Sequence, residues 1–218
     1  MIWGVLCLGA ASASADPPLV VPAGPFTGTM SESWESFPVF SGTYLASPAA
    51  IMGGKATIAN SQMAVYVSGN AFLGTSGRAQ VADGSRGLML NYFAQTATIT
   101  WNQPITQFGS YFAASTLQPG YNQDPDIITI KFFGPSASLL DTETFTYSHS
   151  ATGDGGLDWH GWSFATPVSS ISLTGDFLVM DGVQALVVPE PSAIVLLMLG
   201  AWLSVRDRGG LSAIRKSA

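Results

Sequence analysis

The chain has 218 residues, of which 47% are hydrophobic and 10% are charged, and its formal net charge is −6. This length suits one domain with a proper core plus processing segments, and the apolar composition excludes intrinsic disorder, which requires low hydrophobicity and high net charge. Only four basic residues, Lys55, Arg78, Arg86 and Lys131, lie between residues 16 and 188. An acidic body without a basic stripe repels phosphate backbones, so the composition argues against nucleic-acid binding.

Residues 1–15 have the organisation of a signal peptide. An apolar run over residues 2–11 precedes a small-x-small cleavage pattern in which Ala13 and Ala15 are the small residues. Basic residues are missing before the run, which indicates a true start upstream of Met1, and the alternative is a buried N-terminal strand. Cys7, the only cysteine, lies inside this segment. We therefore expect a mature chain without disulfides or cysteine nucleophiles.

The next segments predict an extended leader and then strands. Residues 16–25 contain four prolines, which favour an extended chain over a helix. Beyond them, short runs rich in β-branched and aromatic residues recur up to residue 188, at 63–67, 87–93, 96–101, 108–113, 127–133, 143–147, 159–164, 171–174 and 183–188. Within one run, Ala97, Ile99 and Trp101 share one face and three threonines share the other, as in a half-buried strand.

Turn residues separate these runs. Asn102-Gln103-Pro104 and Asp181-Gly182 are two of the breaks that we expect to be turns. Repeated short strands between turns predict an all-β fold over residues 26–188, an antiparallel β-sandwich or jelly roll. No repeat of fixed period is present, which disfavours a propeller or a solenoid.

The body of the chain carries no recognisable catalytic motif. His149 and His160 are the only histidines, and the sequence contains neither an HExxH pair for zinc nor a G-x-S-x-G elbow for a serine nucleophile. Paired carboxylates can cleave glycosides, but scattered acids offer such pairs in any acidic chain. We therefore predict a protein that is not an enzyme and has no catalytic residues.

Four aspartates lie close together near the end of the predicted domain: Asp154, Asp158, Asp176 and Asp181. Calcium takes its ligands from loop carboxylates and carbonyls, so Asp181, Asp154 and Asp158 are candidate calcium ligands. Neither an EF-hand spacing nor a repeated calcium-binding nonapeptide is present. The alternative is that each aspartate simply caps a turn.

Trp159 is the candidate for stacking against a sugar. Aromatic faces pack on pyranose rings, and Trp159 follows a glycine-rich turn where a side chain can be exposed. Trp162 and Phe164 instead alternate as core positions of a strand do, and packing in the core is the commoner fate of an aromatic residue.

The C-terminal end combines an extended motif, an apolar run and basic residues. The motif is Val188-Pro189-Glu190-Pro191-Ser192, whose prolines hold the chain extended. Residues 193–205 carry no charge, Arg206 and Arg208 end the run, and residues 209–218 form a basic tail. Basic residues after an apolar run are typical of the cytoplasmic side of a membrane span.

Residues 189–208 resemble the sorting signal of PEP-CTERM proteins of Gram-negative bacteria. The resemblance implies recognition by a membrane-embedded exosortase, removal of the tail, and delivery from the inner membrane to the cell surface or the extracellular matrix. Residues 177–183 also resemble the final strands of jelly-roll ectodomains that often precede such signals, in which an aspartate comes before the last strand. Such sandwiches often carry a structural calcium, which implies Asp181 as a ligand.

The sequence therefore predicts an exported β-sandwich with a structural or adhesive role, associated with extracellular polysaccharide. Its expected partners are the exosortase, the membrane before processing, and polysaccharide. A secreted carbohydrate-active enzyme and a small-ligand or glycan-binding surface module are the alternatives, because sandwiches host all three functions.

Overall fold

The computed structural model describes residues 19–67, 82–90, 95–114, 126–147 and 157–188. Within these ranges the fold is all-β, as predicted, with eleven strands and one 3-10 turn at Met52–Gly54. The strands are β1 Val20–Pro22, β2 Met30–Glu32, β3 Ala49–Ile51, β4 Ala56–Ala59, β5 Met63–Val67, β6 Arg86–Leu90, β7 Gln95–Ala114, β8 Asp126–Phe133, β9 Leu139–Tyr147, β10 Asp158–Gly175 and β11 Leu178–Val187. The described ranges contain no helix long and apolar enough to cross a membrane. The predicted signal peptide and the apolar run 193–205 lie outside them.

Two long antiparallel strands, β7 and β10, form the centre of the sheet. The strand order is β5-β6-β11-β7-β10-β8-β9. The short strands join beside this path: β1 pairs with β10, β2 with β11, and β4 with both β3 and β7. All of these pairings are antiparallel.

Each long strand contributes to two sections of sheet. The C-terminal half of β7 pairs with β11, and the N-terminal half of β10 pairs with β1. These two half-strands form what we call section I, together with β1, β2, β5, β6 and β11. The other half of β7 pairs with β4 and the other half of β10 with β8, and these halves form section II with β3 and β9. Both sections line one hydrophobic core, an arrangement consistent with the predicted β-sandwich.

The core follows the alternation of the strands. Ala97, Ile99 and Trp101 are buried while the threonines between them face outward, as predicted. Trp162 is also buried, and its ring stacks on Phe108 with 6.2 Å between the ring centroids. Each large apolar side chain buried in this way contributes about 1.5–3 kcal/mol to folding.

The predicted turns at 102–104 and 181–182 lie inside continuous strands. Residues 102–104 stand where β7 changes partner from β4 to β11, so the missing N–H of Pro104 removes no ladder bond, and its carbonyl accepts a bond from Val188. Gly182 has φ +57° and lies at a register shift of β11. It therefore forms a bulge, a conformation that glycine adopts without steric cost.

Glu32, a nearly buried acid of β2, organises the neighbouring backbone. Its Oε1 accepts the N–H of Trp34 at 3.0 Å and its Oε2 accepts the N–H of Met52 at 2.8 Å. Both donors belong to residues with positive φ, 64° and 54°. The carboxylate thus holds Trp34 and Met52 in the left-handed backbone conformation, which is unfavourable for residues other than glycine. It also links β2 to the turn after β3.

Candidate functional site

Trp159 lies over a pair of glycines on the outer face of section I. Gly109 of β7 pairs directly with Gly161 of β10. A Cβ atom at Gly109 would overlap the six-membered ring of Trp159, and one at Gly161 would lie 2.8 Å from the indole Nε1. Only two paired glycines leave room for an indole to rest on the sheet in this way. His160 and Trp162 point the other way, toward the core.

Two further aromatic rings fix the position of Trp159. Tyr111, its cross-strand partner on β7, meets it edge to face with 5.1 Å between centroids, and Phe26 does so at 5.6 Å. The indole N–H donates to the carbonyl of Ala23 at 3.1 Å. We call Trp159, Tyr111 and Phe26 the aromatic platform. Trp159 is partly exposed, so the platform offers apolar ring surface with hydroxyl and carbonyl groups at its edge.

Asp181 continues the same cross-strand row on the far side of Tyr111. The side chain is completely buried. Its Oδ2 accepts the N–H groups of Ala82 and Asp83, both at 2.7 Å, while its Oδ1 has no hydrogen-bond partner. The carbonyl of Asp181 also accepts the hydroxyl of Ser110 at 2.7 Å. Asp181 therefore clamps the segment before β6 to the central strands.

The pKa of Asp181 reflects this burial. Loss of hydration raises the pKa to about 6, and the nearby Asp83 carboxylate adds to the increase. The N–H groups of Asp83, Gly182 and Ala82 act in the opposite direction because they stabilise the charged form. The buried carboxylate is thus a group that carries a proton under mildly acidic conditions.

The predicted calcium ligands are only partly described. Asp181 pairs with Tyr111, whereas the exposed Asp158 pairs with Phe112, so β7 runs between the two carboxylates. Asp154 lies outside the described residues. Within those residues, no three His, Cys, Asp or Glu side chains are placed to hold a metal ion. Among the described calcium candidates, Asp181 has an oxygen without a hydrogen-bond partner, Oδ1, and the calcium site stays a prediction.

His160 lies on the opposite face of β10 from the platform. His160 stacks on Phe145 with 3.9 Å between ring centroids, and burial lowers its pKa while Asp158 raises it. His149 lies outside the described residues, as do the cleavage residues Ala13 and Ala15 and the sorting residues after Val188: Pro189, Glu190, Pro191, Ser192, Arg206 and Arg208.

From the sequence we predicted Trp159 as a candidate for sugar stacking but did not identify the residues that position it. The available signal is a period of two in both strands, with Gly109 two residues before Tyr111 and Trp159 two residues before Gly161. Antiparallel pairing of these strands places glycine opposite glycine and tyrosine opposite tryptophan.

No protein-family model and no curated protein sequence matches the chain. Among solved structures, it is similar to a DUF4465 family protein from Bacteroides caccae, with 11% identity, a TM-score of 0.48, and coverage of 78% of this chain and 99% of that one. It is also similar to a family 6 carbohydrate-binding module, with 16% identity, a TM-score of 0.33, and coverage of 60% and 86%. A third is the CBM22-1 xylan-binding domain of Paenibacillus barcinonensis Xyn10C, with 12% identity, a TM-score of 0.35, and coverage of 74% and 97%. At these identities and TM-scores, none of them transfers a ligand to this chain.

Proposed function

We propose that the protein is an exported, non-catalytic surface or matrix protein that adheres to extracellular polysaccharide. The observation that carries this proposal is the partly exposed Trp159, seated on Gly109 and Gly161 and flanked by Tyr111 and Phe26. A ring held in one position loses little conformational freedom when a sugar stacks on it. The Tyr111 hydroxyl can bond to the edge of the sugar.

A hydrolytic role requires two carboxylates that reach the substrate. Asp181 has the raised pKa of a general acid and lies near Asp83, which is the observation that favours a carbohydrate-active enzyme. Its complete burial keeps it out of reach of a polysaccharide, however, so these groups support a structural clamp better than an acid–base pair. We therefore assign Asp181 to folding rather than to chemistry.

The sorting proposal rests on the C-terminal sequence. We propose that an exosortase recognises Pro189, Glu190 and Pro191 while residues 193–205 hold the chain in the inner membrane, with Arg206 and Arg208 at the cytoplasmic side. Processing then releases the domain to the cell surface or the matrix.

The domain fits such an attachment because its first and last described residues bond to β10 and β7 close to the positions where sections I and II meet. The carbonyl of Leu19 accepts the N–H of Ala165, and the N–H of Val188 donates to the carbonyl of Pro104. Trp159 lies six residues before Ala165 on β10, or about 20 Å along the strand. A tail attached after Val188 would therefore leave the platform at the other end of section I, away from the membrane.

A glycan array tests the proposal. The mature protein should bind a subset of neutral polysaccharides without releasing reducing ends, and Trp159→Ala should bind none of them. Binding of a neutral polysaccharide that survives Trp159→Ala, or turnover of a bound saccharide, would contradict it.

A further inference from the structure

The outer face of section II carries hydroxyl side chains in register across three strands. Residues paired across strands share a face, as do residues two apart along a strand. Thr144 of β9, Thr129 of β8 and Thr174 of β10 form one cross-strand row. Thr142, Lys131 and Ser172 form the next row.

Lys131 lies at the centre of these rows. We call Lys131 and the six hydroxyl residues around it the hydroxyl face; the six are Thr129, Thr142, Thr144, Ser170, Ser172 and Thr174. The face is open, because Lys131, Thr142 and Thr144 are exposed and the other members are half-buried. β-branched side chains have stiff χ1 angles, so the threonine hydroxyls are held in place before any partner arrives.

Among the residues of β8, β9 and β10 around Lys131 whose side chains the structure describes, no carboxylate lies on the same face. The acids of β9, Asp141 and Glu143, pair with Phe132 and Ile130, which are buried in the core. They therefore lie on the opposite side of the sheet. In the part of the chain that the structure describes, Lys131 makes no ion pair, whereas Arg86 pairs with Glu35 and donates to two backbone carbonyls.

Apolar surface borders the hydroxyl face at one end. Phe133 follows Lys131 by two residues on β8 and pairs with Leu139 of β9, which is 55% exposed. The face thus combines a cation that has no counter-ion among the described residues, a ring of hydroxyls and a small apolar edge. A partner complementary to all three has one negative charge, many hydroxyls and apolar ring faces.

We propose that the hydroxyl face binds an acidic polysaccharide, with the carboxylate of a uronic acid residue on Lys131. The ammonium group donates a charge-assisted hydrogen bond to this carboxylate, and the Thr and Ser side chains exchange hydrogen bonds with sugar hydroxyls. The apolar face of a pyranose ring rests on Phe133 and Leu139. The inference shares with the proposed function only the general class of partner, because it uses a different face and does not involve Trp159.

Because the protein is negatively charged overall, its binding to an acidic polysaccharide must depend on short-range contacts. The chain has a formal net charge of −6 and so does not attract a polyanion at long range. Affinity must come from short-range groups at Lys131, which makes the effect of one substitution easy to isolate.

Polygalacturonate and its fully methyl-esterified form test the inference, since they share a backbone and differ in charge. The wild-type protein should bind the acid form about tenfold more tightly, and Lys131→Gln should lose that preference while leaving affinity for the ester unchanged. Lys131→Arg should keep the preference. Lys55→Gln removes the same charge at an exposed turn residue before β4, a strand that β7 and β10 separate from β8, and serves as the control.

Three results would overturn the inference. They are equal affinity of the wild type for the acid and the ester, a loss in Lys55→Gln as large as that in Lys131→Gln, and a preference that survives Lys131→Gln. The variant Trp159→Ala distinguishes binding at the hydroxyl face from binding at the aromatic platform. That variant should retain the acid preference through Lys131 even where it loses binding to neutral polysaccharides.

Discussion

At the scale of single residues, Asp181 has the clearest energetic consequence. A carboxyl group with a pKa of 3.8 in the unfolded chain and about 6 in the folded one binds more protons in the folded state between these values. The free energy of unfolding must therefore fall as pH rises from 4 to 6, by up to about 3 kcal/mol. At neutral pH the folded state therefore contains a buried ionised carboxylate that lowers its stability.

We predict that Asp181→Asn removes this pH dependence. In the presence of a chelator, the variant should be as stable as the wild type near pH 4 and more stable above pH 6, because an amide can accept the same two N–H bonds without carrying a charge. Urea denaturation across pH 4–8 measures the difference. Asp158→Asn, the same change at an exposed acid, is the control.

A wild-type profile parallel to that of Asp181→Asn would contradict the assignment.

The same two proteins test the calcium prediction. Added calcium should raise the melting temperature of the wild type and leave Asp181→Asn unchanged, because a ligand that binds only the folded state stabilises it by mass action.

At the scale of elements, the β7–β10 pairing builds the platform through its two glycines. We predict that Gly109→Ala displaces the Trp159 ring, lowers the free energy of unfolding by about 1–3 kcal/mol, and weakens polysaccharide binding. Denaturation and binding assays on one preparation would measure both effects. Gly24→Ala is the control, since a Cβ there meets no atom within 4 Å. Equal behaviour of the two variants would show that the glycine pair has no special role.

The same pairing explains what could be predicted from sequence. The alternation at Ala97, Ile99 and Trp101 is local, so their burial was predictable, and the same reasoning placed Trp162 in the core. The continuity of β7 through Pro104 was not, because it depends on a change of partner that only the folded sheet supplies. The burial of Asp181 likewise depends on Ala82, 99 positions away.

At the scale of the whole molecule, we predict that sorting and adhesion can be separated. Glu190→Ala should leave the domain folded and exported but keep the tail attached, so that full-length protein accumulates in the membrane fraction of a host that contains an exosortase. Glu190 is the only charge between residues 183 and 205, so its loss removes the one ionic feature of the motif. Fractionation and intact mass measure the outcome.

Deleting residues 193–205 is the matched variant for Glu190→Ala. It should release unanchored protein with the motif unprocessed, which distinguishes anchoring from recognition. Normal processing and distribution of Glu190→Ala would contradict the sorting proposal and leave the adhesion proposal intact, because the platform belongs to the folded domain.

The affinity of the mature domain for a soluble neutral polysaccharide, measured by titration calorimetry, tests the central claim most directly. The probe is the tightest binder in a panel of glucans, mannans and xylans, and the variants are Trp159→Ala and Tyr44→Ala. Tyr44 is an exposed aromatic residue that packs beside Phe40, outside the platform. We predict a loss of at least about tenfold for Trp159→Ala and none for Tyr44→Ala, with each variant titrated well below the onset of its own thermal unfolding. Equal affinity of the two variants, or no binding by the wild type to any member of the panel, would contradict the account.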